Sequence, residues 1–122
     1  MNTMKNLEPD IHPNLYQNKK ENTAEIVYEV TTKRNGLPFG IAVADIQQSE
    51  WHYHKLTIET YTVVQGKLEV SLGSEHYVLH PGDVIRIPPG VVHSARSLGE
   101  GPARITVTTI PEFSETDYYP MS

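Results

Sequence analysis

Residues 52–66 read HYHKLTIETYTVVQG and residues 82–93 read GDVIRIPPGVVH. In the first stretch His52 and His54 are two apart in a strand-like run. Their side chains therefore leave the same face, with backbones roughly 6.5 Å apart, and both imidazoles can converge on one point. Glu59 follows five residues after His54 and opens the run Glu59-Thr60-Tyr61-Thr62-Val63-Val64, which leads to Gly66. In the second stretch the Pro88-Pro89-Gly90 turn can re-aim the chain so that His93 faces inward. Three imidazoles and one carboxylate make a borderline-soft donor set. It suits Fe(II), Mn(II), Ni(II), Co(II), Cu(II) or Zn(II) and is wrong for Ca(II) or Mg(II), which want oxygen. Four protein donors on an octahedral ion leave two positions for water, O₂ or substrate. A lone His-x-His on a strand is more often a packing accident, and a lone glutamate a solvated carboxylate. The frame of glycines and prolines around these residues lifts the cluster above that reading.

The pattern outside these stretches is strand-like. Ile26, Tyr28 and Val30 alternate with Val27 and Glu29, and Phe39, Ile41 and Val43 with small residues. Leu68, Val70 and Leu72 alternate with polar neighbours, as do Ala103, Ile105 and Val107. Period-two alternation predicts half-buried strands. Asn35-Gly36, Gly66, Gly73-Ser74, Pro81-Gly82-Asp83, Pro88-Pro89-Gly90 and the stretch from Gly99 to Pro102 supply turns. No stretch of ten or more residues carries a convincing helical face. Short, closely spaced strands predict an all-β sandwich or barrel. Residues 1–23 are polar, with Pro9, Pro13, Lys19 and Lys20, and read as an arm that is loose or docked elsewhere. The barrel is expected over 24–122, including a C-terminal tail from Glu112 that forms a short helical turn or an extended arm.

The length of 122 residues bounds the chain to one domain. A net charge of −5 argues against a nucleic-acid partner, which needs a basic surface. The absence of cysteine removes disulfides, thiolate metal sites and a cysteine nucleophile. No apolar run approaches the roughly 18 residues of a membrane span, and Met1 to Glu8 show no signal-peptide core. A cytoplasmic protein with no membrane partner is expected.

The two quoted stretches resemble the paired motifs of the cupin superfamily. Motif one is Gly, five residues, His-x-His, three or four residues, Glu, six residues, Gly; His52, His54, Glu59 and Gly66 fit it. Motif two is Gly, five residues, Pro-x-Gly, two residues, His, three residues, Asn; Gly82, Pro88, Gly90 and His93 fit it. Two frame positions depart: Ile46 stands where motif one opens with Gly, and Ser97 where motif two closes with Asn. Neither is a ligand position. The resemblance extends over roughly residues 24–111. It implies a double-stranded β-helix, or jelly-roll barrel, holding one divalent transition metal on His52, His54, Glu59 and His93. It also implies a homodimer, formed by strand pairing or by exchange of the N-terminal arms.

Tyr61, two residues past Glu59 on the same strand face, should line the same cavity, with Val63 deeper along. It reads equally as a substrate-facing proton donor, the candidate catalytic residue, and as a core tyrosine. Arg86 could meet an anionic substrate bidentately, although an outward-facing arginine is the commoner case. Arg104 carries the same ambiguity. His76 and His80 read as surface histidines, His12 as part of the polar arm, and Trp51 as packing or a subunit contact. Tyr118 and Tyr119 could dock the tail onto the barrel. Function is expected to be metal-dependent chemistry on a small oxygenated organic molecule, of dioxygenase, decarboxylase or isomerase type. The alternatives are a non-catalytic binding or sensing module and a purely structural metal.

Overall fold

A computed structural model describes residues 19–21, 25–30 and 38–121. Most of the expected N-terminal arm, including His12, and the Asn35-Gly36 turn lie outside the described residues. The strands are β1 (Lys19–Glu21), β2 (Glu25–Glu29), β3 (Gly40–Ile46), β4 (His52–Tyr53), β5 (Ile58–Gln65) and β6 (Leu68–Leu72). They continue with β7 (Glu75–Leu79), β8 (Val84–Ile87), β9 (His93–Ser97), β10 (Ala103–Ile110) and β11 (Tyr119–Pro120). A 3-10 turn at Glu115–Asp117 precedes β11, so the tail contains both a helical turn and an extended piece. No helix among the described residues is long and apolar enough to cross a membrane.

Two antiparallel sheets result: a six-stranded one ordered β1-β2-β3-β10-β5-β8 and a five-stranded one ordered β11-β4-β9-β6-β7. This is the all-β arrangement that the strand patterning predicted and the jelly roll that the resemblance implied. Lys19–Glu21, placed in the arm by the sequence reading, extend the first sheet by pairing with β2. Between the sheets Val63, Leu68, Val70, Ile87, Ala103 and Ile105 are almost wholly buried. Each large side chain among them contributes about 1.5–3 kcal/mol by leaving water. The turns follow from residue chemistry. Gly66 has φ 85°, and a Cβ there would lie 3.2 Å from the Ala103 Cα. Gly90 has φ 83°, and its N–H donates to the His54 carbonyl at 2.6 Å. The Pro-Pro-Gly bend is thereby tied to His54, directly after the strand that carries His52.

Alternation alone does not say which face of β2 and β3 turns to the interior. The residues that line the interior cavity are Glu25 and Val27 on β2 and Gly40, Ile41, Ala42, Ala44 and Ile46 on β3. Cross-strand register agrees, with Glu25 opposite Ile46 and Val27 opposite Ala44. Tyr28 is buried, but on the alternate set opposite Val43. The small side chains of Ala42 and Ala44 on this wall leave the interior at this end as a cavity rather than a packed layer. Ile46, at the position of the motif's opening glycine, is itself a core residue.

Candidate metal centre

The two sheets each contribute to one cluster. His52 on β4 stands opposite His93 on β9 in the smaller sheet, while Glu59 sits on β5 of the larger sheet. His54 follows β4 directly. All four residues are buried, and one ligating atom from each lies within 4.8 Å of the others. The imidazoles are oriented by backbone carbonyls. His52 Nδ1 donates to the Glu50 carbonyl at 2.8 Å, His54 Nδ1 to that of Asp117 at 2.7 Å, and His93 Nδ1 to that of Val91 at 2.9 Å. A carbonyl can only accept, so each Nδ1 carries the proton. In the neutral tautomer each Nε2 is then left with a free lone pair, the form that binds metals.

Two of these nitrogens face the same carboxylate oxygen. Glu59 Oε1 lies 3.0 Å from His93 Nε2 and 3.2 Å from His54 Nε2. His54 Nε2 is buried and makes no hydrogen bond. Lone pairs facing one another at these distances require a cation between them, either a proton or a metal ion. Protonation preferences reflect that demand. Burial works against the charge on His54, but the adjacent Glu59 carboxylate outweighs it and raises the pKa. Burial likewise opposes the Glu59 charge, but the His54 and His93 imidazoles beside it bring its pKa down to about 2. His52 is lowered to about 4 by burial and by the His93 charge. The donor set, the fixed tautomers and the unsatisfied His54 nitrogen fit a divalent transition metal.

The cluster opens onto a cavity of about 480 Å³. Val27, Ile105, Val107 and Phe113 form apolar walls, and Glu25, Tyr61, Thr109 and Tyr118 add polar groups. The Tyr61 hydroxyl is pushed well above its ordinary pKa by burial and by the nearby Glu59 and Glu25 carboxylates. Glu25 is raised to about 7 by burial and by the charges of Glu59 and Glu50. Arg86, offered by the sequence reading as a substrate contact, does not reach this space. It is exposed on β8, on the face opposite the core residue Ile87, because alternation along β8 turns it outward. Arg104 is also elsewhere: it holds the Asp45 carboxylate bidentately at 2.7 and 2.9 Å across the β3–β10 pair. His76 and His80 are exposed, and Trp51 is 40% exposed.

A family model described as the cupin domain matches residues 42–109. The chain belongs to the cupin family. This cupin is 27% identical over 107 residues to an uncharacterized protein of Methanocaldococcus jannaschii, covering 88% of this chain and 74% of that protein. A shorter match, 49% identical over 45 residues, is to quercetin 2,3-dioxygenase of Bacillus subtilis; it covers 37% of this chain and 13% of that enzyme. The fold is shared with the nucleoside dehydratase Pac13 of Streptomyces. There the TM-score is 0.72 at 18% identity, over 84% of this chain and 82% of that one.

Several residues at the centre went unread in the sequence. Glu25 precedes the Ile26-Tyr28-Val30 alternation and carries no motif spacing that marks it. Thr109 continues the inward face of β10 past Val107, so extending the Ala103-Ile105-Val107 alternation by one step would have found it. Asp117 reaches the centre from 63 residues beyond His54, and no local spacing signals that contact.

Proposed function

We infer that this cupin is a metal-dependent enzyme acting on a small oxygenated organic molecule. The observation that carries the reading is the convergence of the three imidazoles and Glu59 on one buried point that opens onto a ligand-sized cavity. His52, His54, Glu59 and His93 would hold the ion. A bound divalent metal supplies Lewis acidity toward substrate oxygens. The remaining chemistry belongs to the protein. Tyr61 stays protonated at working pH and can donate a hydrogen bond or a proton to a substrate oxygen. Glu25 has a pKa near neutrality in the metal-free protein, so it can take a proton from a substrate carbon or oxygen and return it. The apolar walls hold the substrate skeleton and exclude water. Two proton-transfer groups beside a Lewis-acid site favour dehydration or isomerisation.

A second reading, O₂-dependent oxidation, is supported by the local match to quercetin 2,3-dioxygenase. It requires iron, manganese, nickel or copper at the site. The same proposal includes a cytoplasmic location and a homodimer, for which the exposed edge strand β7 with Tyr77 and Val78 offers a pairing surface.

Metal analysis by mass spectrometry on untagged protein, with His52→Ala and His93→Ala beside it, tests the centre. Stoichiometric metal in the wild type that is lost in both variants supports it; metal retained in both, or none in the wild type, refutes it. Turnover of hydroxylated substrates with and without O₂ then separates the two chemistries. Saturable ligand binding without turnover would return the function to a binding module.

A further inference from the structure

The C-terminal segment crosses the face of the barrel that carries the metal centre. Ser114 caps the Glu115–Asp117 turn, β11 pairs with β4, and the Met121 N–H donates to the Trp51 carbonyl at 2.8 Å. Asp117 is buried at the middle of this path. Its carboxylate accepts the backbone N–H groups of Lys55, Leu56 and Thr57 at 2.8, 3.1 and 3.1 Å, and the Thr57 hydroxyl at 3.0 Å. Burial opposes its charge, but these donors outweigh it and hold its pKa below the usual carboxylate value. Lys55, Leu56 and Thr57 join His54 to β5, which carries Glu59. Successive N–H groups converging on one anion fix the shape of that connection. They thereby fix the spacing between two ligands. The carbonyl of the same Asp117 orients His54 itself.

The next residue acts on the other histidine of the pair. The Tyr118 ring stacks on His52, with centroids 4.8 Å apart and planes 29° from parallel. Its hydroxyl donates to the Glu50 carboxylate, while the Glu50 carbonyl holds His52 Nδ1. Tyr119 stacks on Tyr53 at 5.1 Å, and the Lys55 ammonium lies 4.5 Å from the Tyr119 ring. Ligand-bearing residues 52–57 are thus gripped from the C-terminal side along their whole length.

We propose that Glu115–Met121 is an integral part of the metal centre, with Asp117 as its positioning residue, so that metal binding and docking of this segment reinforce each other. The proposal rests on the metal reading given above. Coupling of this kind is reciprocal: the factor by which a docked segment tightens metal binding is the factor by which metal tightens docking.

Co(II) serves as the probe, because its visible absorption reports its coordination as it is titrated. Asp117→Asn keeps the shape of the side chain but removes the charge and turns an amide donor toward the N–H groups. It is expected to weaken Co(II) binding by about 10- to 100-fold. Arg104→Ala, which breaks the distant Asp45 ion pair, serves as the control; it is destabilised but binds Co(II) as the wild type does. Hydrogen exchange on the wild type needs no variant: Co(II) should slow exchange at the Lys55, Leu56 and Thr57 amides and along residues 117–121. Equal affinity in Asp117→Asn and wild type, or exchange at Lys55 to Thr57 unmoved by bound Co(II), overturns the proposal alone. A wild type that takes up no Co(II) overturns the metal reading and the proposal with it.

Discussion

Gly40 tests whether the cavity wall is built as described. It lies on β3 opposite Thr109 of β10, and Thr109 in turn lies opposite Glu59 of β5. A Cβ added at Gly40 would stand 2.5 Å from the Thr109 Oγ1, about 1 Å inside ordinary contact. Gly40 does not have a positive φ, so alanine fits the backbone and the perturbation is steric. Overpacking of this kind costs about 1–3 kcal/mol. Lower entropy of the unfolded chain returns about 0.4–1 kcal/mol. Gly40→Ala should therefore destabilise by roughly 1–2 kcal/mol. The Thr109 hydroxyl is buried and finds no partner among the described residues, so Thr109→Ala alone should cost little. In the Thr109→Ala background the clash is gone, and Gly40→Ala should turn neutral or stabilising. The cycle thus predicts a coupling of about 1–3 kcal/mol, measured by urea unfolding of the metal-free proteins. Effects that add to within about 0.5 kcal/mol would mean that Thr109 turns its hydroxyl away freely, and the account of the wall would be wrong.

Two further expectations concern charge. Glu25 has its pKa raised from 4.5 to about 7 in the folded, metal-free protein. A raised acid favours the folded state below its unfolded pKa and loses that contribution as pH climbs through the folded one. Stability should fall by up to about 3 kcal/mol between pH 4.5 and 8, and Glu25→Gln should flatten that slope in denaturation series across the range. Identical slopes in both proteins would contradict the placement of Glu25. Arg86→Ala should leave binding of any anionic or neutral ligand within about twofold by calorimetry, because the side chain is solvated on the outer face of β8; a tenfold loss would place Arg86 at the ligand after all.

The four candidate ligands were legible because their spacing is set locally. The i, i+2 geometry of His52 and His54 is a property of any strand, and the bend before His93 is written in Pro88, Pro89 and Gly90. The all-β class was legible for the same reason, since Leu68 to Leu72 and Ala103 to Val107 keep strict period two. Which face of β3 turns inward was not legible. On β3 the sequence offers Ile41 and Val43 against Ala42 and Ala44, and alternation alone does not choose between them. Ala42 and Ala44 line the cavity, and Ile41 reaches it as well. A barrel that keeps a cavity does not fill it with bulk, so side-chain size alone does not mark the inside face.

Glu25 and Asp117 went unread for a different reason. Both are ordinary acids in their local context, and each acquires its role from chain segments that only the fold brings near. Asp117 is tied to Lys55, Leu56 and Thr57 across about sixty residues of sequence. The division has a physical logic. Ligand donors must share a strand face or flank a fixed bend, so they leave a short-range pattern. The groups that aim those donors need only reach a backbone amide or an imidazole Nδ1, and any segment passing close enough can supply them. In this cupin the passing segment is the C-terminal one. On the coupling proposed above, docking that segment and assembling the ligand set are one event, and the stability of the tail is part of the affinity of the site.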